Sequence, residues 1–155
     1  MQGNLARAYR RVGRIEDASR IHRDVYFGFL KYFGEEYGDT ILAANNYGMA
    51  LNDLRRFEEA KALLRKTIPV ARRVLGEGHH ITLTSRGVYA QALCYAAGAT
   101  LDGLREAVNE LEDVVRIARR VFGNTHPVVA GFVHQLRAWR SELARRQTPS
   151  ASLSA

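Results

Sequence analysis

An apolar stretch closed by a glycine occurs three times in this chain at related distances. Leu30-Lys31-Tyr32-Phe33-Gly34, Arg72-Arg73-Val74-Leu75-Gly76 and Arg119-Arg120-Val121-Phe122-Gly123 are offset by 42 and then 47 residues. The same offsets relate Ala18, Ala60 and Ala107, within Gly13-Arg14-Ile15-Glu16-Asp17-Ala18, Arg55-Arg56-Phe57-Glu58-Glu59-Ala60 and Gly103-Leu104-Arg105-Glu106-Ala107. A period of this size is the mark of stacked supersecondary units, none of which can bury its apolar face alone. The five extra residues of the third unit fall between Tyr95 and Leu104, where they are expected to lengthen a turn between helices.

Inside each unit the spacing is helical. Phe57, Ala60, Leu63, Leu64, Thr67, Ile68, Ala71, Val74 and Leu75 advance by threes and fours, as do Leu104, Ala107, Val108, Leu111, Val114, Val115, Ala118, Val121 and Phe122. Ile15, Ala18, Ile21, Val25, Phe29, Tyr32 and Phe33 follow the rule more loosely. Each of these long helices is preceded by another, over 3–12, 40–54 and 81–97, and a last helix stands alone over 127–146, which makes about seven. Asp39 or Thr40 and Thr125 are expected to accept from free amides at helix starts, and Pro127 suits a first turn. Gly34, Gly76 and Gly123 suit left-handed C-terminal positions. Pro69 predicts a kink near 65–69, and Gly28 predicts local curvature. No alternation of period two competes, so the fold class is all-α.

Composition narrows the function classes. At 155 residues the chain suits one domain with a real core. A single cysteine, Cys94, forms no internal disulfide, and its place inside a helix reads as a small buried hydrophobe. The longest uncharged runs, such as Gly87 to Leu101, fall short of the roughly 18 residues that cross a bilayer. With no secretory pattern at Met1-Gln2-Gly3-Asn4, a cytoplasmic location is the expectation. The net charge of +7 is concentrated in residues 1–33 and 124–155, and the cations alternate with Asp and Glu at helical spacings. That pattern describes solvated helix faces more than a nucleic-acid stripe.

The second unit resembles the tetratricopeptide repeat, in the 42-residue variety of kinesin light chains. It carries Asn45-Asn46-Tyr47-Gly48-Met49-Ala50-Leu51, then Arg56-Phe57-Glu58-Glu59-Ala60, then Val74-Leu75-Gly76-Glu77-Gly78-His79. The third unit repeats the turn as Val121-Phe122-Gly123-Asn124-Thr125-His126-Pro127. The resemblance implies a right-handed superhelical solenoid of antiparallel helix hairpins, with units at about 1–36, 37–78 and 79–125, a capping helix over 126–146 and a disordered tail over 147–155. It also implies a concave wall lined by the first helix of each unit. On that wall the peptide-binding positions are Asn4, Arg7 and Arg11; Leu42, Asn45, Asn46, Met49 and Asp53; Thr84, Val88, Gln91 and Tyr95; then His134 and Gln135. Asparagine amides suit peptide backbones because they both donate and accept, and Arg7 and Arg11 favour an acidic ligand. Small residues are expected where paired helices meet: Ala6, Gly48 and Ala90 against Ala18, Ala60 and Ala107.

Chemistry beyond binding finds little support in the residues. His79 and His126 occupy equivalent turns and read as repeat consensus, and His22 replaces leucines of the other units, so its ring is expected to be packed. No His-Glu-x-x-His, phosphate-binding glycine loop or assembled nucleophile and base occurs, so no metal, cofactor or catalytic residue is assigned. The leading expectation is a non-enzymatic scaffold that binds a peptide or partner protein, one with acidic character. The alternatives are a self-associating structural fragment of a larger repeat protein and, below it, a basic RNA-binding array.

Overall fold

A computed structural model of the chain describes Asn4, residues 13–98 and residues 100–148. Six α-helices follow one another: α1 (Ile15–Phe33), α2 (Gly38–Asp53), α3 (Phe57–Leu75), α4 (His80–Tyr95), α5 (Leu101–Phe122) and α6 (Pro127–Gln147). A 3-10 turn, Ala96–Gly98, follows α4. Asn4 is also helical, and no strand occurs among the described residues. Both ends of α1 and α3 differ by the 42-residue offset, as do both ends of α2 and α4, so the period read from the sequence is the structural period.

Each helix packs against its successor, and α2 also lies along α4, which makes a stack of hairpins. Small residues permit the close approach. Ala18, Ala60, Ala90 and Ala107 are all fully buried, and a Cβ at Gly48 would stand 3.2 Å from Leu64. The principal apolar cluster joins Leu83 and Leu93 of α4, Leu104, Leu111 and Val114 of α5, and Val129, Leu136 and Trp139 of α6. Helix α6 thus covers the third hairpin's open face, as a terminal element of a solenoid must. Cys94 and His22 are buried, in keeping with their expected packing roles. Burial pushes the Cys94 thiol up to about 11, which leaves it protonated at neutral pH.

The helix ends depart from expectation in an instructive way. Helix α2 starts after Tyr37 with no side-chain cap, and the expected candidate Thr40 is buried with its hydroxyl unpartnered. At α6 the capping residue is His126 rather than Thr125, its Nδ1 accepting from Val128 N–H at 3.2 Å. His79 does the same for Ile81 N–H at 3.1 Å. The histidine of the repeated turn is therefore a helix cap, one of the orphan-amide acceptors every helix start requires.

Gly34, Gly76 and Gly123 do have positive φ, at 81°, 99° and 82°, but their ψ of 176°, 158° and 165° differs from the left-handed helical conformation. This region is almost exclusive to glycine. Gly76→Ala is therefore expected to cost about 1–3 kcal/mol, while Gly28→Ala, inside α1 with open space where a Cβ would stand, should stabilise by up to about 1 kcal/mol. Urea unfolding of the two variants checks the pair, since their midpoints must move in opposite directions.

The inserted residues do more than lengthen a turn. Helix α5 begins at Leu101, about one turn earlier than the 47-residue offset from Phe57 requires, and Thr100 caps it by accepting from Gly103 N–H at 3.1 Å. The insertion is spent partly on the 3-10 turn, so α4 ends at Tyr95 and not at 97. Helix α3 is a single element through Pro69, which sits on its exposed side. The carbonyl deprived of its donor is that of Arg65, itself an exposed residue. At the other terminus Gln147 still belongs to α6 and Thr148 bonds back to Ala144 O, so the expected tail begins later than 147, and residues 149–155 lie outside the described residues.

Candidate peptide-binding surface

Helices α2 and α4 run side by side and form the part of the expected wall that can be described from both sides. Asparagines hold them together. The Ser85 hydroxyl donates to Asn45 Oδ1 at 3.0 Å, and Asn45 Nδ2 points at the Met49 sulfur at 3.8 Å. At the end of α2, Asn52 Nδ2 donates to the Val88 carbonyl at 2.9 Å and to Gln91 Oε1 at 3.2 Å. These bonds lie in a buried seam where an unmade bond would cost roughly 1–3 kcal/mol, so they fix how one repeat sits on the next.

This seam changes the standing of several predicted positions. Asn45 is only 5% exposed and Val88 8%, so neither presents its side chain to a ligand; both belong to the contact between repeats. Leu42, Tyr95, Asp53 and His134 are exposed, and Asn46, Met49, Thr84, Gln91 and Gln135 are half-buried. Thr84 spends its hydroxyl on the Ile81 carbonyl at 3.1 Å. The Tyr95 ring lies 5.7 Å from Phe57 and 6.4 Å from Trp139, linking α4 to the start of α3 and to α6. Asn4 is helical and exposed, and Arg7 and Arg11 lie outside the described residues.

Where α4 meets α6 the device is different. The positions equivalent to Asn45 and Ser85 are Gly87 and Phe132, and a Cβ on Gly87 would come within 2.8 Å of the Phe132 ring. A polar pair at one junction is replaced by an aromatic knob in a glycine slot at the next.

Two residues that the sequence reading passed over prove central. Asn52 is one, and its counterparts Arg10 and Cys94 give no recurring signal. Arg86 is the other. It is 2% exposed, with Nε 2.6 Å from Glu110 and Nη2 2.6 Å from Asp113, both on α5, and Nη1 3.6 Å from Glu77. Its counterparts in the neighbouring units, Ala44 and Val133, are apolar. An arginine that interrupts an apolar position, with two acids on the next helix, was the available signal. Among the described residues no group of three or more His, Cys, Asp or Glu side chains is placed to hold a metal, and no helix there is long and apolar enough to cross a membrane.

Comparison with known proteins identifies the stack. Tetratricopeptide-repeat profiles match residues 39–101 and 100–128, together more than half of the chain. The chain belongs to the tetratricopeptide-repeat proteins. Among solved structures, the repeat is similar to a kinesin-light-chain protein of Podosopora anserina with nearly identical repeats. That match has a TM-score of 0.72 at 22% identity, covering 96% of this chain and 76% of the other. It is also similar to BtubC (BKLC) of P. vanneervenii, with a TM-score of 0.52 at 18% identity, covering 99% of this chain and 67% of that one. These likenesses establish the fold, a superhelical stack of tetratricopeptide hairpins. A curated relative, RxLR effector protein SFI4 of Phytophthora infestans, is 33% identical over 96 residues, which are 56% of this chain and 28% of that protein. The chain thus spans about a quarter of this relative's length. At the level the family supports, this tetratricopeptide array is a protein–protein interaction module, and its repeats are a scaffold fold rather than a catalytic one.

Proposed function

We propose that this tetratricopeptide array binds an extended or helical peptide along the wall formed by the first helix of each unit, without performing chemistry on it. The observation that carries the reading is a division of labour on α2 and α4. Asn45, Asn52, Ser85 and Val88 are consumed in the seam, while the row beside it, Asn46, Met49 and Asp53 with Gln91 and Tyr95, keeps its side chains partly or fully open to solvent. Such a row offers amides for a peptide backbone, a thioether that adapts to varied side chains, and an aromatic face. An acidic ligand is favoured by Arg7 and Arg11, the cations assigned to the same wall in the first unit. The polypeptide is expected to act where soluble partners meet it, in the cytoplasm.

Panning a random-peptide phage library against the chain tests this reading. The peptides recovered should be enriched in Asp and Glu, and each should lose at least about tenfold in affinity toward the Met49→Lys variant and toward Arg7→Glu/Arg11→Glu. Peptides that bind all three proteins equally would remove the wall assignment. Binders that respond to Met49→Lys but not to the arginine changes would remove the acidic preference alone.

A further inference from the structure

A groove of about 580 Å3 lies between the C-terminal half of α1 and the N-terminal half of α2. Gly28, Phe29 and Phe33 of α1 and Leu42 of α2 line it, and Asp24 and Asp39 stand at its rim. Phe33 is 58% exposed and Leu42 39%, an unusual pair of large apolar groups to leave in water side by side.

The repeat itself shows what such a place holds. In the second unit Ile41 is 1% exposed and packs with Val70, Ala71, Leu75 and Ile81. In the third unit its counterpart Leu83 is fully buried in a cluster with Ala118, Ile117 and Phe122. Subtracting the 42-residue offset turns Val70, Ala71, Leu75 and Ile81 into Gly28, Phe29, Phe33 and Asp39, each of which lines the groove. The groove is therefore a formed seat for one branched aliphatic side chain, carried on a helix lying along α2.

Two residues give this seat a chemistry that its counterparts lack. Gly28 in place of Val70 deepens the floor, and nothing stands within 4 Å of where its Cβ would be. Asp39 in place of Ile81 sets a carboxylate at the rim, with Asp24 as a second acid that also meets Arg23 at 3.0 Å. We propose that the groove binds an amphipathic helix of a partner protein, one that seats an Ile or Leu over Gly28 and sets a Lys or Arg one turn away toward Asp39 and Asp24. A second copy of this chain fits poorly. A symmetric pair would bring the acidic rims together, and head-to-tail stacking would present α6, whose exposed residues include Ala130, His134, Arg137, Ala138, Ser141 and Ala144 and no branched aliphatic. This groove adjoins the wall proposed above, sharing Leu42 and Asn46 with it, and the test keeps them apart through Gly28 on one side and Met49 on the other.

The probe is a fluorescein-labelled, hydrocarbon-stapled helix of about 15 residues, alanine- and glutamine-rich, with one Ile and with Lys three and four residues from it. Binding is followed by fluorescence anisotropy. The parent chain should bind it saturably, and changing the probe's Ile to Ser or its Lys to Glu should weaken binding by about tenfold or more. Gly28→Leu, which fills the seat, should weaken it equally with far-UV circular dichroism unchanged, and Leu42→Ser serves as the second variant should Gly28→Leu not fold. Met49→Lys should leave the probe's affinity unaltered, so failure of the wall and failure of the groove give different patterns. No saturable binding, or equal binding by the parent, Gly28→Leu and Leu42→Ser, would overturn the proposal. A parent dimer in sedimentation equilibrium that Gly28→Leu converts to monomer would overturn it too, by assigning the groove to a second copy.

Discussion

Arg86→Leu should unfold with a free energy about 3 kcal/mol below that of the parent chain, because removing the buried partner of an ion pair strips Glu110 of its cation and leaves Asp113 with Arg116 alone. The guanidinium is the cation paired with Glu110 Oε1 among the described residues, and with Arg116 it shares Asp113. Those acids are 25% and 35% exposed, so hydration relieves part of the loss and the figure stays below that of a fully enclosed pair. Substituting Arg86, Glu110 and Asp113 together by leucine should recover most of the deficit, since the triple variant buries no lone charge. Acid titration gives the same contact a second signature. The hydrogen bond from Arg86, helped by Arg116, holds the Asp113 carboxyl below its ordinary value of 3.8. A carboxylate whose pKa is lowered by folding contributes stability that is complete above its unfolded value and is lost as pH falls through the folded one. Melting temperatures taken between about pH 6 and pH 2 should therefore fall more steeply below pH 4 for the parent than for Asp113→Asn. Parallel curves, or an Arg86→Leu variant as stable as its parent, would show that the clasp contributes nothing.

Trp139→Ala should cost about 4 kcal/mol, within the range of large-to-small changes at buried aromatic sites. The indole is 5% exposed, belongs to the cluster that includes Leu111, Val129 and Leu136, and lies edge-on to Tyr95 at 6.4 Å. Helix α6 has no following helix against which to pack among the described residues, and it is held to the stack by this apolar face and by the exposed Arg140–Glu112 ion pair to α5 at 2.7 Å. Stability in a solenoid is a sum of intrinsic and nearest-neighbour terms, so the loss should be local first. Hydrogen exchange should show amides of α6 and the C-terminal half of α5 opening earlier, with those of α3 keeping their protection. Uniform acceleration across all helices, or a loss under about 1 kcal/mol, would mean that α6 is not the cap described above.

Much of the architecture was legible before any coordinates. The 42-residue offset located α1 through α4 to within a few residues, because every unit buries the same helical face and so repeats the same apolar positions. The interruption at 96–103 was equally visible, although its division into a 3-10 turn and an extra helical turn was not. Capping was misread at both tested starts. Thr and Asp are the usual acceptors at such positions, but α2 starts with no side-chain cap, and at α6 the turn geometry places a histidine ring there instead. The binding wall was legible only in part. Helical spacing and resemblance select a row of residues, yet they do not say which of them the neighbouring helix covers, and so Asn45 and Val88 were counted with the open positions.

The sequence alone determined the period, the all-α class, the small residues between paired helices and the family, since all of these recur and recurrence survives without knowledge of what lies opposite. Tertiary structure decided everything that occurs once. Ser85 reaches Asn45 across 40 residues, and Arg86 reaches Glu110 and Asp113 across 24 and 27. No local pattern encodes those meetings, because a polar side chain's partner is fixed by the angle and distance at which two separate helices pack.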